Sequence, residues 1–208
     1  MKERGILFSS PMVRAILEGR KTVTRRLLKW DGLPDVPPTK KWAEPGRAWQ
    51  EVEPGYWIGC DENGTTIFAR CPYGVRGDRL WVRETFRTWC VVHDGGAESD
   101  THPCRCHDVD AYRADHPDPE SLNWRPSIFM PRWASRITLE VGDVRAEQLQ
   151  DITDADAYRE GVGDMHVPGV VAPPVRARFH QLWDEINGER APWKSNPWVW
   201  RVAFRRVT

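Results

Sequence analysis

The alternation of apolar and polar positions divides the chain into short elements. Ile6-Leu7-Phe8 is an apolar run bounded by polar residues and predicts a first strand. Ser9 or Ser10 can then N-cap a helix with Pro11 in its first turn, and Met12, Ile16 and Leu17 share its apolar face. Gly19 follows that face and fits the role of the residue that ends a helix. From Lys21 the period changes to alternation. Thr22, Thr24 and Arg26 fall on one side, and Lys21, Val23 and Arg25 on the other. The basic run "EGRKTVTRR" therefore begins at a helix end and continues into a strand.

Residues 30–76 are rich in Pro, Gly and Trp and read as a long insertion. It carries one hairpin, 56–59 with 65–70, turning at Glu62-Asn63-Gly64. "RGDRLWVRETF" is a turn and a strand that sets Leu80, Val82 and Glu84 on one face. Residues 90–127 form a second, irregular insertion that holds most of the Cys and His. "SRITLEVGDVRAEQL" predicts a long strand bent near Gly142-Asp143. Thr153 with Asp156 resembles a capping box for a helix that Gly161 ends. A second helix places Phe179, Leu182, Trp183 and Ile186 on one stripe before Gly188, and "NPWVWRVAFRRV" is a closing strand. Short strands mixed with a few short helices predict a small α+β barrel in one domain, 1–208.

The charge balance, 30 Lys and Arg against 30 Asp and Glu, removes any global field toward nucleic acid or membrane. A polyanion site must be local. The 12 tryptophans exceed what a core of this size needs and offer flat surfaces for stacking on bases. The apolar run at "MKERGILFSS" is too short for a signal sequence, and no stretch has the length of a membrane span. With five irregularly spaced cysteines, this predicts a cytoplasmic protein with free thiols and no membrane partner.

Lys21 and Thr24 carry the first candidate chemistry. A threonine hydroxyl is a poor nucleophile until a base takes its proton, and a lysine becomes that base only when burial lowers its pKa. The plainer alternative is a basic strand edge that touches phosphates or solvent. "GRKTVTRR" after a short amphipathic helix resembles the G-x-K-x-x-x-x-R signature of the ASCH domain, a PUA-like fold, with Gly19, Lys21 and Arg26 in its positions. "GDRLWV" and "LQDITDADAYREG" match further ASCH motifs in the same order, over about half the chain. The two insertions, "WRPSIFMPRWASRI" and "NPWVWRV" resemble the longer phage and prophage members.

The resemblance implies a PUA-like small β-barrel with flanking helices that binds a nucleoside, a nucleotide or RNA. The small bacterial ASCH enzymes that hydrolyse N4-acetylcytidine use a lysine, a threonine and a glutamate. Lys21, Thr24 and Glu160 stand at those positions. On that basis Thr24 attacks the amide carbonyl, Lys21 activates it, and Glu160 positions Lys21 or relays the proton. Arg26 anchors substrate or structure, and Arg25 departs from an aliphatic residue usual in the small enzymes. Strict alternation would set Lys21 and Thr24 on opposite faces, so the reading needs a twist or bulge at the helix-to-strand junction. ASCH domains are also proposed to bind RNA, and some to cleave it. A binding module without catalysis, a ribonuclease using His166 or His180, and a phage accessory protein that binds another protein stand as rivals.

In "MPRWASR", Arg132, Trp133, Ser135 and Arg136 can clamp a phosphate and stack a base. Alternatively Trp133 fills core and the arginines pair with acids such as Glu140. Glu84, a carboxylate on an apolar face, needs a partner, Lys21 or an arginine. His102, Cys104, Cys106 and His107, with Cys90 and His93 upstream, suit zinc by type but not by spacing. A structural zinc competes there with ordinary polar loop residues, and no cofactor is otherwise predicted.

Overall fold

The computed structural model describes residues 1–29, 49–60, 66–90, 107–116, 124–163 and 173–208. Its strands are β1 (Glu3–Leu7), β2 (Val23–Leu27), β3 (Gln50–Glu53), β4 (Tyr56–Cys60), β5 (Thr66–Arg70), β6 (Arg79–Arg83), β7 (Phe86–Cys90), β8 (His107–Tyr112), β9 (Thr138–Gln148) and β10 (Trp198–Arg206). The helices are α1 (Ser10–Leu17), α2 (Asp154–Arg159) and α3 (Val175–Asn187). The α+β expectation holds. Ser9 occupies the N-cap position of α1 in extended conformation, and Pro11 lies in the first turn. The helix buries Val13, Ala15 and Ile16, while Met12 and Leu17 pack at the margin of the same cluster. Gly19 leaves the helix at φ +75°, a conformation that glycine adopts without a Cβ penalty.

The main sheet has five strands in the order β1-β6-β9-β10-β2. β1 and β6 run parallel and the other neighbours antiparallel. A three-stranded sheet, β3-β4-β5, contains the predicted hairpin, whose turn lies outside the described residues. β7 and β8 pair as a ribbon that reaches into the region expected to be irregular. The bend expected in β9 is a bulge. Ala203 faces Asp143 and Phe204 faces Val141, which leaves Gly142 as the extra residue.

No sheet closes into a barrel among the described residues, and β1 and β2 stand at the two edges of the main sheet. A side chain spans them instead of a ladder: an Arg26 Nη2–H donates to the Leu7 carbonyl, and the guanidinium lies 5.2 Å over the Phe8 ring. Alternation along β10 assigns residues to two cores. Trp200, Val202 and Phe204 join α1 and the small sheet in the first, and Val199 joins α2 and α3 in the second. α3 buries Phe179 and Trp183, but Ile186 is 63% exposed, so the apolar stripe ends a turn early. No described helix is long and apolar enough to cross a membrane.

Candidate active site

The strand that carries Thr24 starts at Val23, two residues later than the alternation implied. Backbone bonding explains the delay. The Lys21 N–H donates to the Ala15 carbonyl at the end of α1, and the Thr22 N–H donates to the Arg159 carbonyl at the end of α2. Lys21 is therefore free of strand geometry, and its buried side chain curls back over the strand start. Its Nζ donates to the Val23 carbonyl (2.9 Å), the Glu160 carbonyl (2.7 Å) and Glu160 Oε2 (2.6 Å). The first bond brings Nζ to the peptide unit that joins Val23 to Thr24. That contact reaches the backbone before Thr24, and among the described residues Nζ makes no hydrogen bond to the Thr24 hydroxyl.

Glu160 is placed by the end of α2. It is the C-cap residue, and Gly161 follows at φ +85°. A Cβ on Gly161 would stand 2.8 Å from the Ala15 Cβ and 3.0 Å from the Lys21 Cβ, so only glycine lets α2 end this close to α1 and Lys21. Burial pushes the Lys21 pKa below the ordinary lysine value, and the Glu160 carboxylate opposes that without cancelling it. All three Nζ protons are engaged, which is the ammonium form. Deprotonation has one short route, along the 2.6 Å bond to Glu160 Oε2.

Arg25 extends the charge cluster away from solvent. Arg25, Arg201 and Arg145 sit side by side across β2, β10 and β9. Carboxylates from α2 and β9 hold this row of like charges together. Arg25 donates to Glu147 Oε1 (2.8 Å), Glu160 Oε1 (3.2 Å) and Asp156 Oδ2 (3.0 Å), and Arg201 grips both Asp156 oxygens at 3.0 and 3.1 Å. Bonds from Arg201 hold the Asp156 carboxyl to about 2 against the pull of burial, with Arg25 adding to the effect. Sequence reasoning took Asp156 for a capping-box partner. Its N–H does donate to Thr153 Oγ1 at 3.1 Å, but its carboxylate turns to the arginines. Cations at facing positions of neighbouring strands were the signal that an acid must cover them.

Thr24 and Arg26 project to the other face of β2, opposite Val202 and Trp200. Thr24 is 4% exposed, and among the described residues its hydroxyl makes no hydrogen bond. Phe8 links the two halves of the cluster, with Lys21 Nζ 5.6 Å and the Arg26 guanidinium 5.2 Å from its ring centre.

The remaining predicted residues have other partners than the Lys21–Glu160 pair. Arg136 bonds both oxygens of the buried Glu84 (3.0 and 3.1 Å) and also pairs with Asp115, and its guanidinium lies 3.9 Å over the Tyr112 ring. Arg136, not Lys21, is thus the Glu84 partner. Burial raises the Glu84 pKa despite that partner. Ser135 Oγ donates to the Val82 carbonyl at 2.7 Å. Arg132 pairs with Glu3 at the surface, and Glu140 pairs with Arg205 rather than with either arginine of that segment. Trp133 is 59% exposed and does not fill core. His180 lies exposed on α3, bonded to Asp184 at 3.0 Å and stacked on Trp193. His166, His93, His102, Cys104 and Cys106 lie outside the described residues. The β7–β8 ladder sets the backbone of Cys90 opposite that of His107. Among the described residues no group of three or more His, Cys, Asp or Glu is arranged to hold a metal ion.

No protein-family model, no curated protein and no solved structure matches the chain. The ASCH resemblance therefore rests on its motifs, and the reading of this site rests on its geometry.

Proposed function

We propose that the chain is a PUA-like, ASCH-type amidohydrolase that acts on N-acylated nucleosides such as N4-acetylcytidine. The observation that carries this reading is the buried Lys21–Glu160 pair, which joins two motifs 139 residues apart at a 2.6 Å contact. The curl that sets the edge strands within reach of Arg26 supports the PUA-like comparison. In the reaction, Lys21 first passes a proton to Glu160, and its amine then takes the proton from Thr24 Oγ1 as that oxygen attacks the amide carbonyl. Collapse of the tetrahedral adduct breaks the C–N bond. The leaving cytosine amine receives the proton from Lys21, and the acyl group stays as an ester on Thr24. Water then hydrolyses that ester, so one amide and one water give an amine and a carboxylic acid. Arg25, bonded to Glu160 Oε1, fixes the carboxylate that faces Lys21.

A second reading, RNA binding without turnover, draws support from the exposed rings of Phe129 and Trp133. Incubation with N4-acetylcytidine and mass spectrometry of the products separates the two. The amidohydrolase yields cytidine and acetate, Lys21→Ala lowers the rate by about 10²–10⁴-fold, and Thr24→Val removes the ester intermediate. A folded parent protein that turns over no N-acyl nucleoside overturns this reading. Salt-dependent RNA binding lost on Arg26→Ala or Trp133→Ala would then establish the second.

A further inference from the structure

The candidate site and a second surface meet at the edge of β1. Phe8, whose ring lies beside Lys21 and Arg26, follows Leu7, whose carbonyl accepts an Arg26 Nη2–H. Successive residues of an extended chain project to opposite faces, so Phe8 enters the first core while Leu7, 40% exposed, opens outward. On that outer face Glu3, Gly5 and Leu7 stand beside Arg79, Trp81 and Arg83 of β6. The loop before β9 is tied to it at two points. The Ile128 carbonyl accepts from the Arg83 guanidinium, and Arg132 donates to both Glu3 oxygens at 2.9 and 3.0 Å. Next to these anchors the loop displays Phe129, 70% exposed, and Trp133 and Ile128, each 59% exposed. Large apolar side chains held together in water mark a surface that a partner covers. Because the loop is anchored, its rings lose little further freedom when that partner binds.

The charge around the rings says what the partner is. Glu3 is taken by Arg132, and Glu140, which faces Arg79 from β9, is taken by Arg205. Among the described residues Arg26, Arg79 and Arg83 make no ion pair. On a chain with a formal net charge of zero, this face therefore has a local excess of guanidinium. Arginines set among exposed rings suit a polymer that carries a flat base and a phosphate on each unit, which is single-stranded RNA. The surface is also continuous with the site. Leu7 and Phe8 are consecutive, and Arg83 lies one strand spacing, about 4.8 Å, from Leu7. A free nucleoside, with one base and no phosphate, would leave these rings and arginines unused.

We infer that the substrate is an N-acylated cytidine within a single strand of RNA, whose flanking nucleotides lie along Leu7, Arg79, Arg83, Phe129 and Trp133. The inference rests on the hydrolase reading for the chemistry at Thr24 and goes beyond it in the length of the substrate.

The test compares free N4-acetylcytidine with an RNA pentanucleotide that carries N4-acetylcytidine at its centre. The expected kcat/KM is at least about tenfold higher for the pentanucleotide, the contribution of about one stacked base. The double variant Phe129→Ala/Trp133→Ala brings that ratio down toward one. Binding of the same pentanucleotide with unmodified cytidine, read by fluorescence anisotropy, weakens with salt. Arg79→Gln lowers the slope of log K against log salt by about 0.7. Equal kcat/KM for the two substrates, or RNA binding that the double variant leaves unchanged, overturns the inference. So does binding to phosphatidylserine vesicles that the double variant loses, with no binding to RNA, which makes the face a membrane contact. The two readings fail separately. Turnover of the nucleoside with no affinity for the pentanucleotide keeps the hydrolase and removes the RNA surface. RNA binding that needs Phe129 and Trp133, with neither substrate turned over, keeps the surface and removes the hydrolase.

Discussion

Replacing Glu160 by Gln tests whether the Lys21 ammonium depends on a buried counter-charge. Of the three acceptors around Nζ, two are neutral carbonyls, from Val23 and from Glu160 itself, and both survive the substitution. The side-chain amide can still accept at the position of Oε2, so the hydrogen bond is weakened more than lost. What disappears is the negative charge beside a lysine side chain that is 2% exposed, together with one acceptor of Arg25. Breaking a buried pair from one side costs about 3–5 kcal/mol, and the surviving bonds place this case at the lower end, about 3 kcal/mol. For a chain of 208 residues that is a fall in Tm of roughly 6–12 °C.

The pH dependence has a definite sign. Burial already depresses the folded pKa of Lys21, and removing Glu160 depresses it further. Between that lowered value and the unfolded lysine value the unfolded chain binds more protons, so stability rises with pH across the interval. The Glu160→Gln deficit is therefore largest near neutrality and shrinks toward pH 10. Urea unfolding at pH 7 and pH 9.5 reads both quantities, and the double variant Lys21→Met/Glu160→Gln completes a cycle in which the losses are smaller than their sum. A Glu160→Gln loss below about 1 kcal/mol, with no coupling to Lys21, is what a surface ion pair gives and would refute the argument.

Asp156→Asn removes the counter-ion of the arginine row. The Asp156 carboxyl is held to about 2, so its contribution of about 2 kcal/mol is complete above pH 4 and is lost as pH falls toward 2. Unfolding followed from pH 5 to pH 2 should show that slope in the parent and not in the variant, and identical slopes would contradict the assignment. Gly161→Ala and Gly19→Ala share a positive φ, but a Cβ at Gly19 meets nothing within 4 Å whereas at Gly161 it meets Ala15 and Lys21. Gly19→Ala should cost about 1 kcal/mol of backbone strain. Gly161→Ala should cost at least about 1 kcal/mol more and also slow turnover, because α2 can no longer deliver Glu160 to Lys21. Equal effects in thermal melts and rate assays would contradict that view.

Local elements were legible in the chain because their signals are local. Ser9, Pro11 and Gly19 bracket α1, Thr153 and Gly161 bracket α2, and Gly142 marks the bulge in β9. Glu84 was legible as a residue needing a cation, but Arg136 could be identified only once the loop before β9 was in place. The Lys21–Glu160 contact was implied by the family resemblance and not by any pattern in the residues. The partners of Asp156 were hidden for a physical reason. Its position after Thr153 satisfies a capping rule, while the arginines that claim its carboxylate come from strands far away in sequence. Ile186 was misassigned because helical periodicity continues past the point where the second core ends. Whether the sheet closes, which it does not do among the described residues, was hidden for a similar reason. Strand count and length do not encode whether the last edge is sealed by a ladder or by one arginine.

The position of β10 between β9 and β2 bears on how the protein is made. β2 leaves the ribosome roughly 170 residues before the strand it pairs with, a delay of about 10–30 s at ordinary translation speeds. During that interval the backbone edge that will hold Thr24 has no partner, and neither Glu160 nor Asp156 has been synthesised when the wait begins. An apolar strand left in that state invites association with other nascent chains. The adjacent cations of "TVTRR" make it a poor template for such contacts, so the charges later neutralised in the interior first serve to keep the newborn segment apart.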